Sequence, residues 1–146
     1  MARLCVCARR LDAAALCLGR MGHARGVRAV REARAQEEEE EEEDEDNDAN
    51  ASSAVCDLVP LAAAAVQLGM LDEAARLYRE ARRPGLLLRL LVARGHWEEA
   101  LALADEGQGD PLHRWRTHFE YAVHLEALGK VKEAARHYAV VRACMW

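Results

Sequence analysis

The stretch Leu68 to Tyr78, Leu-Gly-Met-Leu-Asp-Glu-Ala-Ala-Arg-Leu-Tyr, returns at Leu128 to Tyr138 as Leu-Gly-Lys-Val-Lys-Glu-Ala-Ala-Arg-His-Tyr. A looser copy runs from Arg94 through Gly95, His96, Trp97, Glu98, Glu99 and Ala100. Each copy places an alanine five residues after a glycine: Gly69 to Ala74, Gly95 to Ala100, Gly129 to Ala134. In two copies a tyrosine follows four residues later, as Tyr78 and Tyr138. Glycine lets a helix end and the chain reverse without a Cβ penalty. The acidic pairs Asp72-Glu73 and Glu98-Glu99 suit the positive end of the helix that follows. The small alanine then faces the preceding helix, and the tyrosine one turn on shares its face. The pattern predicts pairs of helices nested at close range.

Stacked helical hairpins with this spacing are of tetratricopeptide type. Leu11-Asp12-Ala13-Ala14-Ala15-Leu16 aligns with Leu71 to Arg76, which adds Ala14 to the packing positions and puts Arg9 where the other copies have glycine. The chain has 146 residues, enough for three to four hairpins. Alanine and leucine dominate the apolar residues and only one Phe is present, a composition that favours helix. No strand alternation stands out. The expected class is all-α: a short α-solenoid of hairpin repeats, interrupted by an acidic loop.

Glu37 to Asp48 holds 11 of the 25 acidic groups, which leaves 14 acids against 20 bases elsewhere, a net of +6. Adjacent like charges repel, and no apolar residue in the tract could offset the entropy of ordering it. A solvated, disordered spacer is therefore expected; calcium binding lacks the required loop spacing. The organisation that follows is residues 1–35 for the first hairpin and next helix, 36–53 for the acidic linker, and 54–146 for the repeats. Within it, helices are expected at Leu11 to Leu18, His23 to Ala35, Asp57 to Leu68, Leu71 to Arg83, Leu86 to Arg94, His96 to Glu106, Leu112 to Leu128 and Val131 to Val141. Gly19 to Gly22 and Pro84-Gly85 read as breaks, and Asp110-Pro111 as an N-cap with proline at the first helical position.

The basic residues outside the tract are spread over many turns without recognition-helix or zinc-finger spacing, so nucleic acid is not an expected partner. Arginine interrupts every leucine-rich run, which excludes a membrane-spanning helix. Five cysteines without a secretory signal read as free thiols of a soluble, intracellular protein. Cys5, Cys7, Cys17 and His23 lack the Cys-x-x-Cys turn that holds zinc. Glu120 and His124 lie one turn apart with no third ligand or nucleophile nearby. Met21 to Gly26 contains two glycines but follows no strand, against a phosphate loop. Trp97, Trp115 and Tyr121 fit either hairpin packing or a concave groove. No catalytic, cofactor or metal residues are assigned, and an enzyme is not expected.

Arg9 to Ala33 is more specific than repeat periodicity alone. It resembles the start of the helical-repeat region of the one-hundred-and-forty-kilodalton subunit of intraflagellar transport complex A. Val66 to Ala74 with Leu77-Tyr78, Gly95 to Leu101 and His118 to Ala127 are similar to the same region. The acidic tract is longer than the family's connection, and Ala139 to Trp146 drifts from its pattern. Members are much longer, with two WD-repeat β-propellers ahead of the repeats, so the chain is expected to be a piece of such a protein. The resemblance implies a non-enzymatic scaffold of cilium and cytoplasm, acting in retrograde intraciliary transport, cilium assembly and ciliary entry of membrane-protein cargo. Implied partners are other complex A subunits and cargo adaptors. The alternative is a stand-alone repeat adaptor clamping a peptide tail of a chaperone. It is disfavoured by the apolar first helices at Leu61 to Leu68 and Leu86 to Leu91. A small metal-dependent enzyme is the remaining class.

Overall fold

The computed structural model describes residues 1–43, 57–106 and 111–144. Among them the chain is helical throughout: α1 (Ala2–Cys7), α2 (Leu11–Arg20), α3 (Ala24–Glu43), α4 (Leu58–Gln67), α5 (Leu71–Glu80), α6 (Pro84–Arg94), α7 (Trp97–Asp105), α8 (Pro111–Ala127) and α9 (Val131–Cys144). The fold is all-α and built of tetratricopeptide-like hairpins, as the spacing predicts. The chain divides into two compact units, Met1–Arg83 and Pro84–Trp146. No described helix is long and apolar enough to cross a membrane.

One hydrogen-bond pattern closes six of the helix ends. At the end of α4, Met70 N–H donates to the Ala65 carbonyl at 2.9 Å and Gly69 N–H to that of Val66 at 3.1 Å. This pair of reverse bonds satisfies carbonyls that the helix itself leaves open, and it needs a left-handed residue at its centre. Gly69 supplies it with φ +73°, and the same two bonds recur around Gly22, Gly95 and Gly129. They also recur around Arg9 and Arg82, at φ 54° and 53°. Arg9 therefore adopts the backbone of the glycine it replaces.

Arg82 was not legible as a turn residue, because a non-glycine side chain gives no warning of positive φ. It ends α5 at Glu80, short of the Arg83 boundary expected from the sequence. Pro84 does not stop that helix but opens α6, where a fixed φ and a missing N–H cost nothing. Gly19, read as part of a break, lies inside α2, and the reversal falls at Gly22.

The left-handed joints make a paired prediction. A side chain there costs roughly 1–2 kcal/mol, and glycine adds about 0.5–1 kcal/mol of unfolded-state entropy. Arg82→Gly should therefore stabilise the chain by about 0.5–1 kcal/mol, while Gly69→Ala should destabilise it by about 1 kcal/mol. Urea titrations of both variants check the opposite signs.

In the first unit α4 packs against α1, α2, α3 and α5. Its sequence, LVPLAAAAVQ, has no polar face, and Val59, Pro60, Leu61, Ala62, Ala64 and Ala65 are all buried. A helix apolar all round belongs in the middle of its neighbours. α5 is two-sided instead: Ala74, Ala75, Leu77 and Tyr78 are buried, while Asp72, Arg76, Arg79 and Glu80 face water.

α3 runs on to Glu43, beyond the Ala35 end that its apolar spacing predicts. Glu37, expected to be solvated, is only 8% exposed and its carboxylate meets the Arg83 guanidinium at 2.8 Å. Glutamate is a good helix former, so a paired first glutamate lets the helix continue. Residues 44–56, and with them the rest of the expected loop, lie outside the described residues.

In the second unit α6 pairs with α7, α8 with α9, and α6 and α7 also contact α8. α8 begins at Pro111, at the first helical position as expected; the expected cap Asp110 lies outside the described residues. Gly85 sits within the first turn of α6, where a Cβ would run into the His113 ring of α8. The sequence marks Gly85 as a breaker, whereas its place in the fold is a close helix crossing.

Candidate interaction surface

Each hairpin brings its small residues to a fixed place. Ala14, Ala74, Ala100 and Ala134 are all buried, each in the second helix of its pair. The position four residues on is filled differently in each copy: Leu18, Tyr78, Ala104 and Tyr138. Tyr78 is buried. Tyr138 is half-buried, its hydroxyl donates to Glu126 at 3.0 Å, and its ring meets Phe119 edge-on at 6.0 Å. Partial desolvation and then the Glu126 carboxylate hold that phenol above its ordinary pKa. In the α8–α9 pair, Ala134 clusters with Ala122 and Leu125, flanked by Tyr121 and Tyr138.

The aromatic residues left open by the sequence are packing groups of the second unit. Trp97 lies against Tyr121 at 5.2 Å and stacks on His124 at 5.0 Å, which ties α7 to α8. Trp115 stacks on Phe119 at 5.7 Å within α8. Glu120 and His124 are not partners of one another: Glu120 accepts from Arg116 at 2.8 Å, while His124 is taken up by Trp97.

At the start of α3, His23 Nδ1 accepts the Gly26 N–H at 2.9 Å. That is the bond an Asn or Ser side chain makes at an N-cap. It occupies one of the amides that an anion would need, so the Met21 to Gly26 segment is a helix start and not a phosphate cradle. An open basic groove of about 420 Å³ beside it is lined by Gly19, Val27, Arg28 and Arg31. Arg28 is already committed to Glu32 at 2.6 Å.

Cys5 and Cys17 are free thiols on neighbouring helices, and Cys7 is exposed. Desolvation, then the hydrogen bond to Cys17, push the Cys5 thiol up, away from the reactive thiolate. Among the described residues no three His, Cys, Asp or Glu side chains converge to hold a metal ion. Between α6 and α8 runs a groove of about 80 Å³ lined by Leu88, Val92, Leu112, Arg89 and Arg116. Small-molecule sites usually enclose about 300 Å³ or more, so this is a crease between helices.

This unit also exposes apolar side chains. Phe119 and Val123 lie one turn apart on α8 and are 41% and 45% exposed. Leu112 lies on the same helical face, and Leu128 and Val131 are exposed at the hairpin tip. Contiguous exposed apolar residues mark contact surfaces for other proteins. Helical hairpins with buried alanine seams, one of which exposes apolar residues along α8, make a protein-interaction module of tetratricopeptide type. Residues 1–144 match the tetratricopeptide (TPR) domain family of intraflagellar transport proteins 140 and 172. The chain belongs to that family, a repeat region of the intraflagellar transport proteins with a protein-interaction, scaffold role.

Proposed function

We propose that the chain is a non-enzymatic assembly segment of intraflagellar transport complex A. In this reading it acts in retrograde intraciliary transport, cilium assembly and ciliary entry of membrane-protein cargo. Its partners are other complex A subunits and cargo adaptors, in the cilium and the cytoplasm. The observation that carries the reading is the exposed apolar face of α8 around Phe119 and Val123, on a chain matched over 1–144 by an intraflagellar transport repeat family.

A face of this kind gains its affinity from apolar area that association removes from water, about 25 cal/mol per Å² before the costs of binding. Introducing a charge there should weaken association without touching the hairpin core. Expressed in ciliated cells with a proximity label, the chain should mark complex A subunits. Val123→Glu should reduce that labelling at least tenfold, since an unpaired charge in an interface costs about 1.4 kcal/mol or more. Labelling of chaperones without any complex A subunit would overturn the proposal in favour of the peptide-clamping adaptor.

A further inference from the structure

We propose that the His118–His137 pair, oriented by Asp105, is a proton-sensitive latch, which holds α9 to α8 at neutral pH and loosens it in acid. His118 is 4% exposed, and its Nε2 lies 3.3 Å from the Asp105 carboxylate. Its Nδ1 lies 3.0 Å from Nδ1 of His137, and the two rings stack at 5.3 Å. This geometry fixes the tautomers. Nε2–H of His118 donates to Asp105, which leaves Nδ1 of neutral His118 as an acceptor. His137 must therefore donate its Nδ1–H across the 3.0 Å gap.

One proton fits between the two facing nitrogens. When both rings are protonated, two N–H groups point at one another and two positive charges share a partly buried seam, so the imidazole–imidazole bond between α8 and α9 is lost. Among the described residues, the groups facing the pair are few. On α7 there is Asp105, itself held by Arg114 of α8 at 2.8 Å. On α8 the Tyr121 ring meets His137 edge-on at 4.8 Å. On α9, Glu133 favours the imidazolium of His137, as Asp105 does, but both effects are smaller than those opposing it. Burial, then the nearness of His118, hold His137 below the ordinary histidine value of 6.5.

The sign follows from linkage. The unfolded chain takes up the His137 proton at about pH 6.5, before the folded chain does. The stability this group contributes is complete above that value and drains away as pH falls from it toward the lowered folded pKa. A tenfold lower proton affinity in the folded chain changes the folding equilibrium by the same factor of about ten.

Urea unfolding of the full chain at pH 5.0, 6.0 and 7.5 should show a midpoint that falls with acid. His137→Phe keeps an aromatic ring in the stack and removes the titration, so its midpoint should fall less steeply over the same range. Histidine ring carbon signals of the wild-type chain should assign His137 a pKa below 6.5. An equal acid slope in His137→Phe, or a His137 titration at or above 6.5, overturns the latch. The wild-type titration decides the matter even if the variant does not fold.

Discussion

Leu61→Ala should lower the stability of the chain by about 2–5 kcal/mol, the range for a buried leucine truncated in a packed core. Leu61 is 1% exposed and sits in α4, the helix that touches α1, α2, α3 and α5. Removing its terminal carbons loses their transfer energy and leaves a hole bounded by several helices. A hole at such a junction closes poorly, because filling it from one side opens a gap on another. Domains of ordinary size hold only about 5–15 kcal/mol in total, so the loss is a large share of what keeps the chain folded. Leu61→Met keeps most of the volume and should cost less than about 1.5 kcal/mol. Leu16 of α2 is more than half exposed, and Leu16→Ala should stay within about 0.5 kcal/mol of the wild type. Urea midpoints of the three variants rank them. A Leu61→Ala midpoint level with that of Leu16→Ala would mean that α4 is not the centre of its unit.

What the sequence discloses and what it hides divide along a physical line. Gly69, Gly95 and Gly129 announce the left-handed joints because glycine is the residue that pays least for positive φ. Arg82 hides an identical joint because its reverse bonds come from the backbone and need no particular side chain. Pro84 and Gly85 carry the composition of a break, yet one starts a helix and the other admits a neighbouring ring. Their meaning depends on where α8 lies, which no local pattern encodes. Glu37 reads as solvated because its partner Arg83 is 46 residues away. His118 and His137 are 19 residues apart, and each by itself looks like an ordinary helix residue. Local spacing thus reveals helices and turns, whereas pairings between side chains on different helices emerge only from the packed chain. The His23 cap is the exception: it is local, and would have been found by asking which side chain answers the first free amides of α3.

The alanine seams carry the second large expectation. Ala134→Leu should destabilise the chain by about 1–3 kcal/mol, the usual cost of inserting extra carbons into a filled core. Ala134 is 1% exposed and meets Ala122 and Leu125 of α8, with Tyr121 and Tyr138 closing the sides. Leucine there must displace one of those tyrosines or push α9 away from α8. Tyr121 is pinned by Trp97 and His137, and Tyr138 by Phe119 and Glu126, so neither yields freely. Ala135, the next residue on α9, is exposed and offers the matched control. Alanine and leucine differ little in helix propensity, so Ala135→Leu should change stability by no more than about 0.5 kcal/mol. The gap between the two variants isolates packing from propensity, since both lie in the same turn of the same helix. A packing role for the alanine five residues after the glycine requires that gap; equal urea midpoints for Ala134→Leu and Ala135→Leu would remove it.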